Sequence, residues 1–353
     1  SGYIGNFEAK VLNTSSTEEL KFGNLILATG LNDFDAGKVT NYGYGKYPDV
    51  ITALEFEEML SKGLIQTKEG KEPDNIAIIH CVGSRNNDYN PYCSRTCCMS
   101  ALQYANQIRS ALTESNIYDI YADMRAFGKG CEELYTITSR KGVMFLMFDQ
   151  RAQLPIVKDG DKKCNLLIEI DELLSGEHVE VPADMVILMT GMEAHKDAKE
   201  MAHMAGISLD KNKFFIEKHP KLDPVATTTD GVFIVGSCQS PKDIPDSVSQ
   251  AKGAAARILA TIAQGKVQVE ATTAHSNEEI CCGCQFCISV CPYSAISFDR
   301  EKGVSVVNEV LCKGCGTCSS TCPSGAISSK HFTDIQIMSQ INGLLEMQLE
   351  TAE

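Results

Sequence analysis

Residues 281–323 read Cys281-Cys-Gly-Cys284-Gln-Phe-Cys287-Ile-Ser-Val-Cys291-Pro292 and, after a spacer from Tyr293 to Leu311, Cys312-Lys-Gly-Cys315-Gly-Thr-Cys318-Ser-Ser-Thr-Cys322-Pro323. Each half is C-x2-C-x2-C-x3-C-P. In this run three closely spaced thiolates wrap one face of a [4Fe–4S] cubane, and the fourth cysteine reaches across to the other cluster. The spacing therefore assigns Cys281, Cys284, Cys287 and Cys322 to one cluster, and Cys312, Cys315, Cys318 and Cys291 to a second. Pro292 and Pro323 turn the chain away after each fourth ligand, where no helix can continue. Paired zinc sites or disulfides would also use cysteines. Eight of them in two copies of one spacing favour clusters over either.

The rest of the composition is compatible with that reading. The chain has 353 residues, 43% of them hydrophobic, enough for about two domains of ~150 residues with a sizeable core. A net charge of −14 argues against nucleic acid or an anionic membrane as partner. No run approaches the ~20 apolar residues of a membrane span. The start, Ser1-Gly2-Tyr3-Ile4-Gly5, lacks the charged region and apolar core of a signal peptide. Sixteen cysteines with C-x2-C spacings point to metal in a reducing cytoplasm rather than to disulfides.

Upstream, the pattern alternates strand and helix. Asn6 to Val11 alternates as a strand. Phe22 to Gly30 reads as a buried strand ending Ala-Thr29-Gly30, and Pro182 to Gly191 reads as a second strand ending Met-Thr190-Gly191. Such an ending resembles the strand-to-loop signature of flavoproteins with two dinucleotide-binding domains, where small residues let the chain pass close to a dinucleotide. Between the two, Asn75 to His80, Ile117 to Met124, Val143 to Phe148 and Asn165 to Ile170 read as strands, with Glu177 to Val181 as a hairpin partner. Helices are expected from Cys97 to about Leu112 and within Phe127 to Arg140. The alternation predicts a Rossmann-like unit. Gly231 to Cys238 is a strand meeting a loop, and a helix follows from Ser247 to about Ala263, with Pro245 and Asp246 at its start. Gly265 to about Asn277 is a polar linker. From His331 an amphipathic helix carries Ile335, Ile337, Met338, Ile341, Leu344, Leu345 and Met347; its default expectation is packing on its own domain, and the alternative is docking on a partner.

Four further cysteines, Cys81, Cys93, Cys97 and Cys98, follow C-x11-C-x3-C-C. This is neither the tandem run nor a paired zinc knuckle. Cys97 and Cys98 open a helix, where the macrodipole lowers a thiol's pKa, and Arg85 and Arg95 also favour thiolates. A third [4Fe–4S] cluster, a redox disulfide and zinc are all compatible with the spacing.

Three segments carry a family resemblance: Tyr42-Gly-Tyr-Gly-Lys-Tyr-Pro-Asp-Val-Ile-Thr52; Cys81-Val-Gly-Ser-Arg85 with Tyr92-Cys-Ser-Arg-Thr-Cys-Cys-Met99; and Gly236-Ser-Cys-Gln-Ser-Pro-Lys-Asp-Ile-Pro-Asp-Ser-Val248. Together with the tandem run they resemble the iron–sulfur flavoprotein subunit of CoB–CoM heterodisulfide reductase over essentially the whole chain. The resemblance implies an α/β fold: a partial thioredoxin-reductase-like (Rossmann-type) flavoprotein domain over 1–268, a small α+β bacterial 2[4Fe–4S] ferredoxin domain over 269–330, and a C-terminal helix over 331–353. It implies a cluster on Cys81, Cys93, Cys97 and Cys98, three [4Fe–4S] clusters in all, and flavin contacts from Thr29, Gly30, Gly236, Ser237, Lys242, Asp243 and Ser247. On residue chemistry alone, turn and cap roles compete for those seven.

No first Gly-rich FAD fingerprint is present, so the expectation is a split version whose FAD is shared with a separate N-terminal-half flavoprotein subunit. The implied role is flavin-based electron bifurcation in methanogenesis. Electrons from a hydrogenase or formate dehydrogenase would go to ferredoxin and to CoM-S-S-CoB, with disulfide cleavage on a partner heterodisulfide reductase subunit. The competing role is a non-bifurcating electron-wire or scaffold subunit of a related complex in sulfur metabolism. Cys131, Cys164 and Cys282 read as plain thiols, Cys238 as a small buried hydrophobe, and the seven His as structural or exposed.

Overall fold

The structure, a computed structural model, describes residues 2–12, 16–160, 164–266 and 271–350, leaving aside the side chains of 346–350. It opens with an antiparallel sheet of β1 (Gly2–Tyr3), β2 (Asn6–Leu12) and β3 (Thr17–Phe22). Next come β4 (Leu25–Leu27) and β5 (Leu31–Asp33). The strand expected from Phe22 to Gly30 is thus only three residues long. Leu27 is buried in it, whereas Ile26 is 48% exposed, because a two-strand ribbon covers only one face.

The central unit is built on β6 (Val50–Thr52), α1 (Ala53–Ser61), β7 (Asn75–Val82), α2 (Cys97–Ala111), β8 (Asn116–Tyr121), α3 (Cys131–Arg140) and β9 (Met144–Met147). It continues through β10 (Ile156–Asp159), β11 (Leu166–Glu172), β12 (Glu177–Ala183) and β13 (Met185–Thr190). Five strands form a wholly parallel sheet in the order β6-β13-β7-β8-β9. Strand β7 is apolar at almost every position because both of its faces are covered. On one face α1 and α2 bury Phe56, Ala101, Tyr104 and Ile108 against Ile76, Ile78, Ile117 and Ile187. On the other, the antiparallel β10-β11-β12 sheet packs Leu166, Ile168 and Val181 against Ile79, Ile120 and Leu188. Each fully buried aliphatic side chain contributes roughly 1.5–3 kcal/mol. Helix α1 begins at a capping box, in which the Thr52 hydroxyl accepts from the Glu55 N–H and the Glu55 carboxylate accepts from the Thr52 N–H.

A third region joins the two ends of this part of the chain. Strand β14 (Met192–Ala194) pairs with β5, α4 (Ala198–Ala205) follows, and β15 (Val232–Ile234) runs parallel to β4. Helix α5 (Ile244–Gln264) starts three residues earlier than the periodicity suggests, because Asp243 caps it and Pro245 sits in its first turn.

The C-terminal module holds β16 (Ala274–Ser276), α6 (Phe286–Ser289), β17 (Ile296–Asp299), β18 (Val304–Val307), α7 (Thr317–Thr321) and β19 (Ile327–Ser329). It forms two antiparallel pairs, β16-β19 and β17-β18. The expected linker ends earlier than its polarity implies, since Thr273 and Ala274 are buried in this module. The expected boundary at 268/269 lies outside the described residues. Lys313, inside the second cysteine run, pairs with Asp230 just ahead of β15 and so ties the module to the upstream region. Helix α8 (Asp334–Glu350) departs from expectation: Ile335, Met338, Leu344 and Leu345 are exposed rather than packed on their own domain. Its amphipathic pattern specifies a helix, but among the described residues nothing lies over the apolar face. The Met347 side chain lies outside the described residues.

Candidate metal centres and the neighbouring loop

The tandem run folds as two related loops. Gly283 and Gly314 occupy matching places one residue before Cys284 and Cys315, both with positive φ. A Cβ at Gly283 would lie 2.6 Å from the Gly303 carbonyl oxygen, and one at Gly314 would lie 2.6 Å from that of Thr272, so only glycine fits. Gln285 and Gly316 then turn left-handed, and α6 and α7 begin.

Cys312, Cys315, Cys318 and the crossed-over Cys291 line one pocket. That is the fourfold set the spacing assigns. Burial raises the Cys318 pKa, and Cys312, Cys291 and Cys315 raise it further. The Ala274 N–H donates to Cys312 Sγ at 3.3 Å, and the Ala295 N–H donates to Cys291 Sγ at 3.3 Å. In the other set, Cys287 and Cys322 share the module's small core, while Cys281 is half-buried and Cys284 exposed. Cys282 is exposed.

The second constellation sits at the C-terminal end of the parallel sheet. Cys81 closes β7, Cys97 and Cys98 open α2, and Cys93 lies on the loop between. All four line a single pocket with Arg85, Arg95, Asp123 and Arg125. The loop holds three non-glycine residues in the left-handed region, Cys81, Arg85 and Arg95. Such conformations persist only where surrounding contacts fix them. Here the Ser84 and Ser94 hydroxyls meet at 2.7 Å, Ser94 Oγ accepts from the Met192 N–H at 2.8 Å, and Gln150 Nε2 donates to the Ser84 carbonyl at 3.0 Å. Gly191 serves this loop as well, since a Cβ there would lie 2.2 Å from Ser84 Oγ. Its smallness is used by the cysteine loop, a use the Thr-Gly strand ending did not suggest.

Electrostatics mark the pocket as unbalanced. Burial, then the neighbouring Cys98, pushes the Cys81 thiol up to about 12. Burial and the three other thiols hold Cys97 well above the ordinary range. Burial also raises Cys98, but His80 outweighs it and leaves that thiol below its ordinary value. Arg85 pairs with Asp123 through one nitrogen, while its buried Nη1 has no partner. Four crowded thiols beside an orphaned guanidinium nitrogen fit an iron–sulfur centre, whose metal charge deprotonates coordinating thiols outright. Among the described residues no group of three or more His, Cys, Asp or Glu side chains is placed to hold a single metal ion.

The loop residues expected to face a flavin divide into two groups. Because β4 and β15 are parallel, Thr29, Gly30, Gly236 and Ser237 emerge side by side at their C-terminal ends, where ligands of α/β sheets sit. Thr29 Oγ1 is buried without a partner, and the space beside Gly30 is open. These features fit a bound group. The other three side chains are engaged within the loop. The Lys242 ammonium donates to Gln239 Oε1 at 2.8 Å and to the Gly236 carbonyl at 3.1 Å, Asp243 caps α5, and the Ser247 hydroxyl donates to the Asp243 carbonyl. Arg95 joins the two sites, donating from Nη2 to Asp246 Oδ2 in the first turn of α5 at 2.7 Å.

Of the two readings offered for the histidines, structural or exposed, His80 takes the first. It lies fully buried on β7, with Nε2 3.0 Å from Asp119 Oδ1 on β8. The available signal was a lone His and a lone Asp inside two otherwise apolar strands.

Residues 280–326 match the family model described as a 4Fe-4S dicluster domain. The chain is 44% identical over 336 residues to the A subunit of the H(2)/formate:CoB-CoM heterodisulfide,ferredoxin reductase of Methanococcus maripaludis, covering 92% of this chain and 50% of that protein. It is likewise 44% identical over 348 residues to the first of two iron-sulfur A subunits of the CoB--CoM heterodisulfide reductase of Methanopyrus kandleri, covering 95% and 51%. The chain thus spans about half the length of the curated relatives it matches. Likeness to solved structures is weaker: the thioredoxin reductase of T. acidophilum gives a TM-score of 0.45 at 14% identity, covering 73% of this chain and 71% of that one.

Proposed function

We propose that this chain, homologous over nearly its whole length to A subunits of CoB–CoM heterodisulfide reductases, is an oxidoreductase component that conducts electrons within such a complex in the cytoplasm. The observation that carries the reading is the placement of eight of its cysteines, four around each of two pockets, in a chain with this homology. Cys81, Cys93, Cys97 and Cys98 would hold one [4Fe–4S] cluster. Cys312, Cys315, Cys318 and Cys291 would hold a second, and Cys281, Cys284, Cys287 and Cys322 a third. When bound, such clusters carry single electrons and a flavin converts between pairs and singles.

The chain's own residues bind and orient. The Ala274 and Ala295 N–H groups bond ligand sulfurs and so favour the more negative, reduced state. Thr29, Gly30, Gly236 and Ser237 offer the edge of an FAD site shared with a partner subunit, while Lys242, Asp243 and Ser247 hold that edge in shape. Arg95 keeps the Cys81 pocket beside it. The finer reading is flavin-based bifurcation between ferredoxin and CoM-S-S-CoB, supplied by a hydrogenase or formate dehydrogenase, with the disulfide cleaved on a partner subunit. Iron and flavin analysis of the chain purified with its partners tests it. About twelve irons per chain and one FAD are expected at four irons per cubane; about eight irons and no flavin would overturn it.

A further inference from the structure

We propose that the first cysteine loop, with Ile280 and Phe286 on its rim, is the surface through which the tandem module exchanges single electrons with a redox protein that presents basic residues around its own centre. The second loop is the one fastened to this chain. The inference rests on the reading that the tandem run holds two clusters, and it names the face at which one of them meets a partner. The two runs are repeats, so each position in one has a counterpart in the other, Cys281 matching Cys312. Cys284 and Cys315 match and are both exposed, so ligand exposure alone does not distinguish the loops. Their surroundings do.

In the second run, Lys313 pairs with Asp230 and its side chain is only 18% exposed. Asp230 also receives Lys218 at 3.8 Å, so the loop is held by a shared carboxylate of the upstream region. Leu311 before it is half-buried. In the first run the counterpart of Lys313 is the exposed Cys282, and the counterpart of Leu311 is Ile280, 50% exposed. Phe286, which opens α6, is 57% exposed. Its counterpart, which opens α7, is the small polar Thr317. Two large apolar side chains thus stand in water on the free loop beside a ligand cysteine. Apolar surface rimmed by polar residues marks a contact site, and a buried aromatic is a common anchor of one. The rim is acidic: Glu278 and Glu279 are both exposed immediately before Ile280. Complementary charge steers encounter, so the fitting partner is basic. Redox encounters use small interfaces, which a single loop can supply. At this contact one electron leaves the reduced centre of the Cys281 set and enters the partner's oxidised centre, with no bond made or broken.

The test uses ferricytochrome c, a basic one-electron acceptor, as the probe, and follows its reduction by the reduced, reconstituted chain in stopped flow at low ionic strength. Glu278 and Glu309 hold matched places in the two loops, each exposed and each paired with a lysine, Lys302 at 2.9 Å and Lys330 at 2.6 Å. Glu278→Lys and Glu309→Lys therefore make the same charge change on either side of the comparison. Glu278→Lys is expected to slow the second-order rate at least about fivefold and to flatten its salt dependence, whereas Glu309→Lys should stay within about twofold of the unaltered chain. Phe286→Ser should slow the reaction about threefold or more and leave its salt dependence unchanged. A readout independent of turnover is carbodiimide cross-linking to the probe's lysines, which should map to Glu278 and Glu279. Equal slowing by the two charge reversals, slowing by Glu309→Lys alone, slowing by neither, or cross-links as frequent at Glu309 overturns the proposal. If Phe286→Ser loses iron, the two reversals decide. Failure of the underlying reading looks different, since the unaltered chain would then hold no more than about four irons at four per cubane.

Discussion

In the C-terminal module two of the five buried core residues, Cys287 and Cys318, are cysteines of the tandem run, and the remaining three are Ala274, Ile296 and Ile327. In the α/β unit the cysteine pocket sits at the rim of a sheet whose core is Ile76, Ile78, Ile79, Phe56 and their neighbours. The first region is built around its cysteines, whereas the second carries its four cysteines on a scaffold complete without them. A module of about sixty residues with so small an apolar core needs metal to fold. The parallel sheet does not.

The largest expected effect that separates the two is metal removal. Anaerobic chelation should unfold the module spanning β16 to β19 while the α/β unit keeps its secondary structure and a cooperative thermal transition. Hydrogen-exchange mass spectrometry reads both regions in one sample. Equal protection in the module before and after chelation would break the contrast. Next in size is a core truncation: Ile78→Ala should cost the α/β unit about 2–5 kcal/mol by denaturant titration, and the spectra of the module's two clusters should not change.

The same contrast explains how much the sequence disclosed. The tandem run was legible because ligand spacing along the chain is nearly the whole site. Cys291 and Cys322 cross over through a fixed C-P step, and Cys291 indeed lines the pocket of the second run. Continuous apolar runs marked β7 and β13 as interior strands of a parallel sheet. What stayed hidden depends on tertiary geometry. Strand β4 looked buried because its residues are apolar, yet one face of its ribbon is open. Gly191 looked like a dinucleotide turn but makes room for Ser84. The family resemblance implies a flavin contact for Lys242, and only the fold shows that its ammonium bonds the loop's own carbonyl and amide oxygens. His80 and Asp119 are far apart in the chain, and only the pairing of β7 with β8 makes them neighbours.

The central claim is that the Cys81 pocket is a cluster site independent of the tandem run. It is tested most directly by iron analysis with Mössbauer spectroscopy on Cys81→Ser/Cys98→Ser beside the unaltered chain, both reconstituted under the same conditions. The account predicts a loss of about four of twelve irons, with the two remaining [4Fe–4S] signals unchanged. Equal iron in the two proteins would contradict it.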